Sequence, residues 1–192
     1  MAFAVNHTWA LDLTFYTNAE GVLYTVLGII DHGSRRLLYL KQLPRKCTLT
    51  LLGHLFLVMA KFGVPAAVRT DNEGMFKSAL WKAVFKALSI RHRRGAPDCP
   101  WQNGRIERLF GTLKPLLKKI RPIKAQALTT VLKDFKWFYN EVRVHQNLNG
   151  LTPMQAWQGK TLAEVQLEQA TQPGQWVAAA LDGLMIGYHV RC

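Results

Sequence analysis

Residues 6–16 alternate bulky apolar side chains, Trp9, Leu11, Leu13 and Phe15, with smaller or polar ones, Thr8, Ala10, Asp12 and Thr14. A period of two is that of a strand with one face on a core, so Asp12 points away from the bulky set. A turn follows at 18–21, then an unbroken β-rich apolar run at 22–30, which predicts a hairpin, and a third strand at 36–43. The period then changes. Leu51, Leu52, Leu55, Val58, Met59 and Phe62 recur at helical spacing, predicting a crossover helix over 48–62 with Thr48 as its N-cap and Gly63 as its stop.

Residues 65–70 read as a short buried strand ending at Asp71, 76–88 as an amphipathic helix and 89–93 as the next strand. A Pro- and Gly-rich loop over 95–104 leads into a helix carrying Glu107, in which Pro115 predicts a kink or break. A longer helix is expected over 127–146, with Trp137, Phe138 and Trp157 as core residues. Beyond Thr161 the pattern weakens to a short helix at 163–169 and a terminal hairpin around Asp182 and Gly183. Strands in a row, then alternation, then helices, predict an α/β fold: a mixed five-stranded sheet flanked by helices.

At 192 residues the chain can bury one sizeable core, and 49% hydrophobic composition excludes disorder. No apolar run is long enough for a membrane span and no signal sequence leads the chain, which reads as soluble and cytoplasmic. Cys47, Cys99 and Cys192 have no metal-binding spacing. Charge is more telling. The net charge is +13, and thirteen Lys and Arg stand between Lys77 and Lys124 against only Asp98 and Glu107. A basic tract of this density suits a phosphate backbone, because each neutralised phosphate releases condensed counterions.

Asp12 in the first strand, Asp71 at the end of the fourth and Glu107 at the head of a helix are acids on three elements that can converge beside that tract. Phosphoryl transfer needs an activated oxygen nucleophile and a stabilised leaving oxygen, and hard divalent cations on carboxylates serve both needs.

Around these acids the sequence resembles the integrase core of insertion-sequence transposases and retroviral integrases, which has a ribonuclease H-like fold. The matching pieces are Trp9-Ala10-Leu11-Asp12-Leu13-Thr14, Asp31 with Ser34-Arg35, Thr70-Asp71-Asn72, and Pro100-Trp101-Gln102-Asn103-Gly104-Arg105-Ile106-Glu107-Arg108. Thirty-five residues separate Asp71 from Glu107, the spacing of that family, and Gly150-Leu151-Thr152-Pro153 is similar to a segment that follows many such cores.

The resemblance implies a catalytic core over 1–157 and an extension over 158–192. It implies Asp12, Asp71 and Glu107 as catalytic residues and ligands of two Mg²⁺ or Mn²⁺ ions, with DNA (transposon ends and target) as substrate rather than a small molecule, and a homodimer. It makes Lys114, seven residues after Glu107, a DNA contact, with Asn72, Asn103, Arg105, Arg108 and Lys118 as further contacts. Glu73 departs from the family pattern, which commonly has Gly after Asp-Asn, and is expected to face solvent. Sequence-specific recognition of transposon ends would lie in a helix-turn-helix segment outside this sequence. Two other readings share the same residues: a ribonuclease H-type nuclease, and a DNA-binding or assembly module that no longer catalyses.

Overall fold

The structure, a computed structural model, describes residues 4–95 and 104–171. Asp98, Cys99, Asn103, the terminal hairpin and Cys192 lie outside the described residues. The alternation at the start of the chain becomes β1 (Thr8–Thr17), followed by β2 (Leu23–Asp31) and β3 (Leu37–Leu43), two antiparallel pairings in succession. Helix α1 (Thr48–Phe62) crosses over to β4 (Ala67–Thr70), and α2 (Ala79–Ala87) to β5 (Arg91–Arg94). Among the described residues the sheet has five strands in the order β3-β2-β1-β4-β5, with β1, β4 and β5 parallel. This is the expected ribonuclease H-like arrangement.

The period-2 pattern of β1 divides the core in two. Trp9, Leu11 and Leu13 face one layer with Leu51, Leu55 and Val58 of α1 and Trp81 and Phe85 of α2. Ala10 and Tyr16 face the other, under α3 (Gly104–Ile120) and α4 (Ala125–Trp137), where Ile106, Leu109, Phe110, Leu113, Leu128 and Phe135 are buried. Asp12 shares this second face by strand alternation.

Several local expectations are corrected. The N-cap of α1 is Cys47, with no side-chain cap bond, because the Thr48 hydroxyl instead donates to the Met75 carbonyl at 3.2 Å. The helix expected over 76–88 is a 3₁₀ turn (Gly74–Lys77) followed by α2, whose cap is Ser78, accepting from Trp81 N–H at 3.2 Å. Helix α3 runs unbroken through Pro115, which lies on its exposed side, where solvent can satisfy the carbonyl freed by the missing N–H. Trp137 is 45% exposed rather than core.

The long helix expected over 127–146 is α4 followed by a π turn, Phe138–Val142. The widened turn presents Asn140 to the edge strand β3. Its Oδ1 accepts from Leu37 N–H at 2.8 Å and its Nδ2 donates to Leu37 O at 3.0 Å, while Lys136 Nζ donates to Leu38 O at 2.6 Å. One stretch of an otherwise open sheet edge is thereby covered. Further on, Thr152 and Gln155 form a capping box at the start of α5 (Pro153–Trp157), and α6 (Leu162–Thr171) follows. Arg36 lies over both the Phe62 and Trp157 rings, at 5.1 and 4.8 Å from their centroids. Among the described residues no helix is long and apolar enough to cross a membrane.

One close approach fixes where α3 sits. Gly28 of β2 pairs with Asp12 of β1, and a Cβ placed on Gly28 would lie 2.8 Å from Cζ of Phe110. The missing side chain lets the Phe110 ring rest on the sheet beside Asp12. Gly28→Ala should therefore push α3 outward and lower stability by about 1–3 kcal/mol, with partial rescue by Phe110→Leu. Urea denaturation of the three variants checks this, and an unchanged midpoint for Gly28→Ala would refute the packing argument.

Candidate active site

Asp12 and Asp71 are brought together by strand register. The parallel pairing matches Thr8 with Ala67, Trp9 with Val68 and Ala10 with Arg69, and extending it two residues sets Asp12 opposite Asp71, just past the end of β4. Neighbouring strands run about 4.8 Å apart, so the two carboxylates share one end of the sheet. Asp12 Oδ1 accepts from Leu13 N–H at 2.7 Å, and Asp71 Oδ1 from Glu73 N–H at 3.0 Å.

Glu107 comes from the opposite wall. It stands in the first turn of α3, where the helix dipole favours a carboxylate, and is exposed, while Ile106 and Phe110 on either side of it anchor the helix.

Electrostatics reports the crowding. Burial, opposed by the Leu13 N–H and reinforced by repulsion from Asp71, Glu107 and Glu73, pushes the Asp12 carboxyl up to about 7. Burial also raises Asp71, with the Glu73 N–H and the charges of Lys46 and Lys77 pulling the other way. Among the described residues, however, no three His, Cys, Asp or Glu side chains are gathered tightly enough to hold a metal ion. The fold unites the two aspartates; Glu107 stands within electrostatic reach of Asp12 without completing a shared coordination cage.

The remaining expected residues are placed unequally. Asn72 is exposed, and its amide donates to Gly95 O at 2.6 Å, bracing the chain where it leaves β5. Arg105 is half-buried and donates to the His32 carbonyl, tying the start of α3 to the β2–β3 turn. Arg108 is exposed. His32, buried among Arg105, Arg69, Arg35 and Arg93, is pushed down to about 3, first by burial and then by those charges. Lys114 and Lys118 are exposed and, with Leu117 and Arg121, form one wall of a groove of about 680 Å³ whose other wall is residues 15–19. The groove begins three residues past Asp12. It lies where β4 has already ended, so that this half of β1 has β2 as its neighbour on one side only.

Asp31, which shares in the sequence resemblance, is not part of this cluster. Its carboxylate accepts from Asn6 N–H at 3.0 Å and from Ser34 N–H and hydroxyl at 2.7 and 2.8 Å, shaping the turn after β2.

One sequence expectation is corrected here, and one feature went unassigned at the sequence level. Glu73 does not simply face solvent: it pairs with Lys46 at 2.9 Å, and its charge acts on both aspartates. Gly28 holds α3 close to Asp12. A glycine within an apolar strand run is itself a signal of close approach.

Comparison with known proteins bears on the fold and on its family likeness. Residues 88–153 match the model of the family described as Integrase core domain. The chain is 29% identical over 162 residues to the transposase InsF for insertion sequence IS3A of Escherichia coli strain K12, covering 82% of this chain and 56% of that protein. It thus spans little more than half the length of that relative. It is 30% identical over 116 residues to the Gag-Pro-Pol polyprotein of simian retrovirus SRV-2, covering 60% of this chain and 6% of that one. Among solved structures, the simian T-cell lymphotropic virus intasome in complex with the PP2A regulatory subunit B56 gamma superposes with a TM-score of 0.70 at 25% identity, over 82% of this chain and 56% of that one. The HTLV-2 integrase catalytic core domain in complex with magnesium, in its dimeric form, superposes with a TM-score of 0.65 at 20% identity, over 82% of this chain and 99% of that one.

The raised Asp12 carboxyl has a consequence for stability. A group whose folded-state value lies above its unfolded one contributes stability that is present below the unfolded value, 3.8, and is lost as pH rises through about 7. Metal-free protein should therefore weaken between about pH 4 and pH 7, and Asp12→Asn should remove that part of the loss, leaving the variant the more stable at pH 8. Denaturant titrations across this range decide the point; equal pH profiles for the two proteins would contradict it.

Proposed function

Starting from a chain that is like the cores of insertion-sequence transposases and retroviral integrases, we propose that it is the catalytic core, over residues 1–157, of a DNA transposase or integrase that cuts DNA strands and joins them, with residues 158–192 an extension. The observation that carries this reading is the confinement of Asp12 and Asp71 at one end of the sheet, with Glu107 above them and a lysine-lined groove leading away.

Asp12, Asp71 and Glu107 are the residues to hold divalent metal, Mg²⁺ or Mn²⁺, as a pair of ions when DNA is bound. The donor set fits. All three are hard oxygen ligands, and Mg²⁺ is commonly held through one or two carboxylates with other oxygens completing its shell. The mutual repulsion that raises Asp12 is what a cation placed there would relieve. Glu107, exposed on a helix whose inner face is anchored, has to close on the aspartates as DNA seats. When bound, the metal supplies Lewis acidity to the attacking and departing oxygens of an in-line phosphoryl transfer.

The chain itself binds and orients the DNA. Lys114 and Lys118, one helical turn apart on the outer face of α3, neutralise successive phosphates along the groove, and Arg108 extends the basic surface near Glu107. Arg105 and Asn72 act less directly, the first by fixing the head of α3 and the second by fixing the exit of β5. Asn103 is kept as a contact candidate on the strength of its motif. Strand cleavage would free a 3′-hydroxyl, which then attacks a target phosphodiester; Asp12 and Asp71 serve both displacements from the same position. Two DNA ends have to be brought together for this, so a homodimer is the proposed working form.

Purified chain incubated with branched or pre-nicked DNA and Mn²⁺ should cut or rejoin strands. Asp12→Asn, Asp71→Asn and Glu107→Gln should each reduce that activity by about 10³-fold or more, and product that persists in Glu107→Gln would remove Glu107 from the mechanism. DNA affinity should fall steeply with salt. Lys114→Ala should flatten the slope of log affinity against log salt by about one, and an unaltered slope would remove Lys114 from the DNA path.

A further inference from the structure

Lys46 lies in the loop between β3 and α1, 25 residues before Asp71, yet it is paired with Glu73, two residues after Asp71. Its Nζ is 2.9 Å from Glu73 Oε1 and 4.8 Å from the centroid of the Phe15 ring, which belongs to β1 three residues after Asp12. The segment that carries Glu73 is fastened on both sides. Its N–H donates to Asp71 at 3.0 Å, and two residues on, the Met75 carbonyl accepts from Thr48 of α1 at 3.2 Å. The ammonium, 37% exposed at its side chain, thus has a carboxylate and an aromatic face as its neighbours.

On the reading given above, we propose that Lys46 is the resident counter-ion of the carboxylate site: held by Glu73 and Phe15, it balances the crowded acids in the metal-free protein and opposes the loading of a divalent ion. The charge arithmetic supports this. Glu73 adds a fourth negative charge beside Asp12, Asp71 and Glu107, and its charge and that of Lys46 act on Asp71 in opposite senses. A divalent cation arriving at Asp71 meets the repulsion of Lys46, moderated by the solvent that reaches both partners of the Lys46–Glu73 pair. A DNA phosphate arriving at the same lip offers Lys46 an alternative anion. Metal loading and DNA seating are thereby coupled through one side chain.

The test is a Mn²⁺ binding isotherm on the whole chain, read by electron paramagnetic resonance of free Mn²⁺, for wild type, Lys46→Met, Glu73→Gln, the double variant and Asp12→Asn. Methionine keeps an unbranched stem against Phe15 and removes only the charge, and Lys46→Gln provides a second neutral variant. Thermal melts establish that each variant is folded. Lys46→Met should tighten Mn²⁺ about three- to tenfold, Glu73→Gln should loosen it by a similar factor, and the double variant should return near wild type. DNA should tighten Mn²⁺ more in wild type than in Lys46→Met. A merely structural role for Lys46 would leave affinity unchanged or weaken it, and either result, or a silent Glu73→Gln, overturns the proposal. If wild type and Asp12→Asn bind Mn²⁺ alike, or neither binds, the carboxylate site itself fails and this inference falls with it.

Discussion

The structure depends on the cost of holding two carboxylates side by side at a half-buried end of a parallel strand pair. Once Ala10 is matched with Arg69, two further residues of β1 and β4 bring Asp12 and Asp71 abreast, while Trp9, Leu11 and Leu13 keep to the α1–α2 face, which a slip of one residue would reverse. The apolar pattern that secures the core therefore also enforces the repulsion. Two backbone N–H groups, from Leu13 and Glu73, offset part of that cost, and the neighbouring cations Lys46 and Lys77 act in the same direction at Asp71. The acid Asp12 nevertheless stays strained toward its neutral form. Carboxylates crowded in this way favour any positive charge placed beside them.

The third acid is positioned by packing rather than by register. Ile106, Leu109, Phe110 and Leu113 bind α3 to the sheet, and the absence of a side chain at Gly28 sets how close it comes. Because Gly28 is the partner of Asp12, the same small patch of sheet determines both where Asp12 lies and how far Glu107 stands from it. The head of α3 is itself tied by Arg105 to the β2–β3 turn. The basic face beyond it, from Lys114 to Arg121, continues the line of the helix away from the acids.

Much of this was legible in the sequence because it rests on local periodicity. The period-2 run of β1 assigned Asp12 to the face opposite Leu11 and Leu13, and Thr70-Asp71-Asn72 marked a strand end. What escaped was set by contacts between distant residues. Thr48 reads as a cap, but its hydroxyl is taken by the Met75 carbonyl, 27 residues away. The π turn at Phe138–Val142 cannot be told from a continuing helix by apolar spacing, since what rewards it is the pairing of Asn140 with Leu37 across 103 residues. Pro115 forecasts a break, yet the helix passes it on its exposed side. Glu73 looked like a solvent-facing acid because its partner, Lys46, is contributed by a loop on the far side of α1.

Whether Asp12, Asp71 and Glu107 share a cation is decided by locating that cation. Anomalous diffraction from crystals of the chain grown with DNA and Mn²⁺ should show Mn²⁺ between Asp12 and Asp71, with a Glu107 carboxylate oxygen brought within coordination distance, about 2.2 Å. Mn²⁺ found elsewhere, or held by Asp71 and Glu73 with Asp12 and Glu107 turned away, would contradict the account.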